Sequence, residues 1–419
     1  MKKIEITPVA IADIKPRSHQ PSSHVIQLRG SHQGPRFETL PPLSLYVHIP
    51  WCIKKCPYCD FNSHQEPNEG LPEARYLRAL EADIEASLPL IWGRSIQTVF
   101  IGGGTPSLFS PEAIDQLLAS IRARLKLAPG AEITLEANPG TFEQNRFQGF
   151  KDAGITRLSI GIQSFQERFL KALGRVHNGA EARKAVEIGV NLFERVNLDI
   201  MYALPEQTIA DALQDVAIAL TYGISHLSFY HLTLEPNTYF HRYPPPLPDE
   251  DEASHMQENI EEKLLQAGFN HYEVSAFAKT KQESRHNLNY WQFGDYLGIG
   301  AGAHGKISFA DKVIRQHRYR QPEQYMQSAL KGNSIQGEQV VGASDIGFEF
   351  MLNALRLREG VPAILYEMHT GFPLSNLSPI LNIAVQRGWL EPDPTILRPT
   401  PLGFRFLNDL LELFLPSVE

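Results

Sequence analysis

The sequence predicts an α/β fold built on a parallel sheet, with a small, mostly helical carboxy-terminal domain. Three observations carry that expectation. β-rich runs alternate with helix-patterned stretches from residue 43 onward, the spacing leaves room for a helix in each crossover, and beyond about residue 343 the apolar period turns helical.

The runs are LSLYVHI from residue 43, TVFIGG near 98, EITLEA near 132, RLSIGIQS near 157, RVNLDIMYAL near 195 and HLSFYHLTL near 226. Between them, PEAIDQLLASIRARL sets Pro111 in a first helical turn behind Ser110, and AEARKAVEIGV closes at Gly189. This alternation fits an open doubly wound sheet or a barrel, and the pattern by itself does not choose. A Pro-rich turn, YPPPLPDEDE at 243–252, precedes a helical stretch to about Gly268 and a Gly-rich segment, FGDYLGIGAGAHGKI. The stretches DIGFEFMLNALRLREG, SPILNIAVQRGWL and LGFRFLNDLLELFL predict the helices of the last domain. The expected organisation is a leader at 1–41, a core at 42–310, a linker region at 311–342 and a helical domain at 343–419. The leader is rich in Pro, Ser, His and Gln without a hydrophobic period, so it is expected to be flexible.

Of the 419 residues, 42% are hydrophobic and 21% charged, which excludes disorder of the whole chain. Lys and Arg number 39 against 47 Asp and Glu, for a net charge of −8, so the broad basic footprint of a nucleic-acid-binding protein is missing. No apolar run approaches the roughly 18 residues that span a bilayer, and Glu5 and Asp13 stand where a signal peptide keeps its apolar core. A soluble, cytoplasmic protein is expected. The three cysteines fall in one eight-residue window, an arrangement for metal or redox chemistry in a reducing compartment and not for a disulfide framework.

Those cysteines, Cys52-Ile-Lys-Lys-Cys56-Pro-Tyr-Cys59, follow the first strand. Three thiolates from one loop can hold three irons of a [4Fe–4S] cube and leave the fourth iron open to a small molecule. The competing reading is a Cys3His zinc site completed by His48 or His64. Zinc loops usually pair cysteines two apart in distant halves, and the three-then-two spacing here favours the cluster. Gly102-Gly103-Gly104-Thr105-Pro106 ends the second strand, where residues without side chains let a charged ligand approach backbone amides, although a plain turn reads the same way. No Gly-Lys-Ser/Thr follows, so it is not a phosphate loop. Glu136, Gln163 and Asp199 stand at or near strand ends, which converge on one face of a barrel; with Arg175 they make a ring suited to a ligand carrying ribose hydroxyls, an ammonium and a carboxylate.

The stretches YVHIPWCIKKCPYCDFNSH, FIGGGTPS, EANPG, SIGIQSF, LGRVH, LDIMYALPEQT and HNLNYWQFGDYLGIGAGAHGK cover residues 45–306. They resemble the radical S-adenosylmethionine (SAM) superfamily, in the branch that holds oxygen-independent coproporphyrinogen III oxidase (dehydrogenase) and the HemW-type haem chaperones. The resemblance implies a partial (β/α)6 TIM-like barrel with a helical carboxy-terminal domain. It also implies a [4Fe–4S] cluster on Cys52, Cys56 and Cys59, with SAM chelated to the open iron. Tyr46, Gly103 and Glu136 match positions that contact this SAM, and Tyr58, Gly104, Thr105, Gln163, Arg175 and Asp199 match positions that line the same cavity.

Two departures set the chain apart from the dehydrogenase: Phe61 stands where that enzyme has a fourth cysteine, and the leader replaces its long amino-terminal segment. His286-Asn287-Leu288-Asn289-Tyr290-Trp291 is similar to the HNxxYW motif linked to haem in the chaperone group; an imidazole can ligate haem iron and the aromatics can pack on a porphyrin face. The bland alternative is core packing around a hydrogen-bonded histidine. His304 and His231 are further candidates for the same pocket. The leading expectation is therefore a haem chaperone that binds haem, cluster and SAM and delivers haem to a membrane-associated acceptor, with a homodimer as the group's habit. The alternative is the porphyrin-biosynthetic oxidase. Radical modification of RNA ranks below both, since no basic platform is present.

Overall fold

The computed structural model describes residues 34–140 and 146–416. Of the leader, only 34–41 lies within the described residues; it runs without helix or strand, and the Arg36 N–H donates to the Gly371 carbonyl at 2.8 Å.

Twelve strands make one sheet: β1 (Leu43–Ile49), β2 (Ile96–Gly103), β3 (Leu127–Ala137), β4 (Arg157–Gln163), β5 (Arg195–Tyr202), β6 (His226–His231), β7 (Asn270–Glu273), β8 (Ala276–Ala278), β9 (Asp295–Ile299), β10 (His304–Ser308), β11 (Val313–Arg318) and β12 (Ile335–Val340). Their order is β12-β11-β10-β9-β1-β2-β3-β4-β5-β6-β8-β7. The six runs anticipated from the sequence are β1 to β6, in sequential parallel register. β1 and β6 do not pair with each other. β1 continues into parallel β9 and antiparallel β10, β11 and β12, while β6 continues into antiparallel β8 and β7, so the array is a partial barrel and not a closed one.

A parallel sheet covered on both faces is expected to be apolar on both. Here only one face is. Leu45, Val47 and Ile49, Val99 and Ile101, Leu158 and Ile160, and Leu198 and Ile200 pack under the crossover helices in the main core. The alternate positions are polar and largely buried: Ser44 and His48, Thr98, Glu132 and Thr134, Arg157 and Ser159, Asn197, then His226 and Ser228. Since side chains alternate along a strand, these line the inner face, where burying polar groups is costly unless they bond one another. They do: Asn197 Nδ2 donates to Ser159 Oγ at 2.8 Å, and His226 Nδ1 lies 2.6 Å from Asn197 Oδ1.

The crossover helices begin as their sequences direct. Ser110 Oγ accepts from the Ala113 N–H with Pro111 in the first turn of Pro111–Arg124, and Asn178 closes a capping box with Glu181 at Gly179–Leu192, one turn longer than Gly189 suggested. The carboxy-terminal helices, from Ile346–Ala354 to Leu407–Glu412, enclose a second core around Phe350, Tyr366 and Leu410.

The interval 311–342 is not a linker. It holds β11, the helix Pro322–Ala329 and β12, which extend the sheet. The edge strand β12 is mostly exposed, so its sequence IQGEQV carries little apolar alternation to read. One buried carboxylate ties this extension down. Asp83, on the helix Glu73–Ile91, accepts from Ser334 Oγ at 2.6 Å, Tyr325 OH at 2.9 Å and the Gly300 N–H at 3.2 Å, and pairs with the fully buried Arg318 at 3.2 Å. Removing one partner of such a pair strands the other charge. Asp83→Ala should therefore cost about 3–5 kcal/mol in urea unfolding, and a loss below about 1 kcal/mol would show the network to be dispensable.

Candidate functional site

Two cavities meet at the carboxy-terminal ends of the parallel strands. The first, of about 330 Å³, is lined by Cys52, Cys56 and Cys59 and by Tyr58, Gly103, Gly104, Thr105, Glu136, Gln163, Arg175 and Asp199. The second, of about 550 Å³, is lined by Tyr46, His286, Tyr290, Trp291, Tyr296 and His304, among others. Gly103, Glu136 and Phe61 belong to both walls.

Backbone geometry closes the cysteine loop. Trp51–Cys52 pairs in parallel with His64–Gln65, the Glu66 N–H donates to the Cys52 carbonyl at 2.9 Å, and the Cys59 N–H reaches the Cys56 carbonyl at 3.2 Å. All three cysteines are free thiols. Burial and mutual repulsion push the Cys52 thiol up, and burial does the same for Cys59, so a cluster that binds as thiolate must displace protons. A Cys3His zinc site completed by His48 does not fit this loop. Both ring nitrogens of His48 are engaged, Nδ1 by Tyr46 OH at 2.9 Å and Nε2 on the Asn62 carbonyl at 2.9 Å, and among the described residues no three His, Cys, Asp or Glu side chains are arranged around one ion. A cube, in which each sulfur grips its own iron, makes no such demand.

The glycine run works differently from the expectation of open amides. The Gly103 N–H donates to Glu136 Oε2 at 3.1 Å, the Gly104 N–H to the Ile49 carbonyl at 2.8 Å and the Thr105 N–H to the Trp51 carbonyl at 2.8 Å. These amides are already satisfied. Glycine is required by packing: a Cβ on Gly103, whose φ is +122°, would lie 2.7 Å from the His48 ring, and one on Gly104 would lie 2.6 Å from the Trp51 carbonyl oxygen.

Around the cavity, Gln163 takes a left-handed φ of +65° at a bulge between β4 and β5, a strained conformation for a residue with a side chain. Arg175 donates from Nη2 to Asn138 Oδ1 at 2.7 Å and to the Gly161 carbonyl at 2.9 Å, and from Nη1 to Cys56 Sγ at 3.6 Å. Its Nε is buried with no partner, a vacant donor fitted to an anion. Opposite in charge, Asp199 accepts from Ser159 Oγ and Asn197 Nδ2, both at 2.9 Å. Glu136 is pushed up to about 8 by burial and then by the neighbouring Asp199. Two half-buried carboxyl groups and one unspent guanidinium donor suit a zwitterionic, cationic ligand such as SAM.

Tyr46 does not line the cysteine cavity. It stands on β1 in register with Phe100 on β2 and Gly298 on β9, with its ring 6.2 Å from that of Phe100, and so faces the second cavity beside His286. His231 goes the other way: its ring stacks on Tyr202 at 5.3 Å and it lines the first cavity, apart from His286. His304 does join His286.

His286 is the second residue of the helix Arg285–Trp291, behind the cap Ser284, and its ring lies 5.1 Å from Phe100. Its Nδ1 is 2.8 Å from Thr98 Oγ1, which donates in turn to Ser44 Oγ at 2.8 Å. That chain assigns the proton to Nδ1 and leaves the lone pair on Nε2. Burial and the Arg157 charge hold the ring neutral, down to about 3. Sequence reasoning missed Thr98, Ser159 and Asn197; for the last two, the alternating polar residues Arg157 and Ser159 in RLSIGIQS and Arg195, Asn197 and Asp199 in RVNLDIMYAL were a usable signal.

Since Glu136 has an ordinary value of 4.5 and a folded value of about 8, the folded state holds a proton that the unfolded chain has released throughout that window. The carboxyl's contribution to stability is therefore complete at low pH and fades as pH rises towards 8. In metal-free protein, Glu136→Gln should gain on wild type by ~1–3 kcal/mol between pH 5 and 8, read by urea unfolding; a pH-independent difference would contradict the burial of this charge.

Residues 46–217 match the radical SAM superfamily and residues 343–406 the HemN C-terminal domain. The heme chaperone HemW of Escherichia coli K12 is 47% identical over 378 residues, 90% of this chain and 99% of that protein. The heme chaperone HemW of Haemophilus influenzae is 46% identical over 382 residues, 90% and 98% of the two chains. Among solved structures, the coproporphyrinogen III oxidase HemN of Escherichia coli, a radical SAM enzyme, shares the fold with a TM-score of 0.76 over 90% of each chain, at 22% identity. The chain belongs to the HemW heme chaperone family of the radical SAM superfamily.

Proposed function

We propose that this protein is a haem chaperone that carries haem in the second cavity on His286, holds a [4Fe–4S] cluster and SAM in the first, and passes haem to a membrane-associated acceptor. The observation that carries the reading is His286 itself: a buried, neutral imidazole on the cavity wall, with Nδ1 tied to Thr98 and Nε2 free of hydrogen bonds among the described residues. Such second-sphere anchoring is how proteins orient a metal-ligating histidine. Tyr46, Tyr290 and Trp291 supply apolar faces for a porphyrin, and Arg320, exposed on the same wall, suits a propionate.

The cysteine cavity serves the resident cofactors. A cluster with bound SAM supplies one-electron reductive chemistry when present. The chain's own part is to present three thiols, to offer Arg175 Nε to a carboxylate and to set Glu136 and Asp199 against positive charge. No helix of the described residues is long and apolar enough to cross a membrane, so a membrane-associated acceptor would be met at the protein surface.

Anaerobic haem titration of cluster-reconstituted protein, followed by absorbance, tests the reading. Wild type should bind one haem per chain, and His286→Ala should bind at least about tenfold more weakly while keeping its iron and sulfide content. Equal affinity in the variant would remove His286, and with it the assignment of this cavity.

A further inference from the structure

The cavity beside His286 holds a second imidazole. His304 opens β10, lines the same space, and its ring has neither a hydrogen bond nor an ion pair among the described residues. We propose that His304 is the second ligand of the haem iron, facing His286, so that the cargo travels as a six-coordinate bis-imidazole complex; this rests on the assignment of haem to this cavity.

An exposed histidine without a partner is ordinarily a solvated surface residue. The placement of His304 argues otherwise. On β1, Tyr46 lies in register with Phe100 on one side and Gly298 on the other, and β10 runs so close to β9 there that a Cβ on Gly298 would lie 1.9 Å from the His304 carbonyl oxygen. His286 packs on Phe100 at 5.1 Å. The two imidazoles therefore flank Tyr46 from opposite sides, with the His304 backbone two strand spacings, roughly 10 Å, from that of Tyr46. A planar macrocycle with an iron at its centre is a ligand that takes a nitrogen on each face.

The hairpin that presents His304 is also held rigidly. Its turn donates from the Gly300 N–H to Asp83 Oδ2 at 3.2 Å and from the Ala301 N–H to Tyr76 OH at 2.8 Å. From the other side Asn62, three residues past Cys59, donates to the Ala301 carbonyl at 3.0 Å. His317 on β11 stacks behind the His304 ring, with centroids 5.6 Å apart and planes 27° apart, which limits its rotation. Ligation by His304 requires no other reactant: a neutral imidazole donates a lone pair to iron, and no bond in the protein breaks.

The test is the spin state of ferric haem bound to cluster-reconstituted protein, read by absorbance and electron paramagnetic resonance. Wild type should be low-spin. His304→Ala should still bind one haem per chain, about tenfold more weakly, with the low-spin signal replaced by a high-spin one and restored by added imidazole; His304→Met should remain six-coordinate with a shifted spectrum. A low-spin spectrum in His304→Ala identical to wild type, or a high-spin wild type, would overturn the role of His304 while leaving haem on His286. Failure of wild type to bind haem would overturn both assignments.

Discussion

The closeness with which β2 leaves the sheet beside the end of β1 is the constraint on which the two-cavity architecture depends. At Gly103 and Gly104 the backbone passes within van der Waals distance of His48 and Trp51, where a side chain has no room. That approach has three consequences. It continues the β1–β2 pairing into the cysteine loop through the Gly104 and Thr105 amides, it brings the Gly103 N–H onto Glu136, and it reduces the division between the cavities to one glycine, one carboxyl and the Phe61 ring. A thicker strand end would move the cysteines away from Asp199 and Arg175, or separate the cavities altogether.

The polar inner face follows from the same arrangement. A sheet with helices on one side and open cavities on the other must bury Asn197, Ser159 and His226 where a covered sheet would bury valine and leucine. It offsets the desolvation by bonding them to one another and to Asp199. Those bonds also set chemistry. Thr98, in this layer, fixes the tautomer of His286, and burial together with the nearby Asp199 keeps Glu136 protonated until a positive charge in the cavity favours its ionisation. Asp83 plays the corresponding part outside the barrel, where it locks the β9–β10 turn and so the position of His304.

Much of this was legible in the sequence, for identifiable reasons. The strands β1 to β6 carry strong apolar runs between helix-length gaps, and the cysteines declare themselves by spacing. Glu136, Gln163, Arg175 and Asp199 could be placed together because strand ends converge. The extension β9 to β12 was not legible: FGDYLGIGAGAHGKI is dominated by glycine, and β12 is an edge strand without an apolar face. That Tyr46 lines the second cavity, beside the Gly103 and Glu136 wall that both cavities share, was not legible either, because a motif carries no information on which side of a partition its side chain falls. The glycine run was read as open backbone, whereas its amides are spent and what it provides is closeness, a property that depends on residues such as His48 and Trp51 that the run does not name.

The central claim is that haem and the cluster occupy separate chambers on either side of Gly103 and Glu136. It is tested most directly by diffraction from crystals of the protein loaded with cluster, SAM and haem, using the anomalous scattering of iron. The account predicts two iron centres, one on Cys52, Cys56 and Cys59 and the other on His286. Haem iron found on the cysteine loop, or on the surface away from His286, would contradict it.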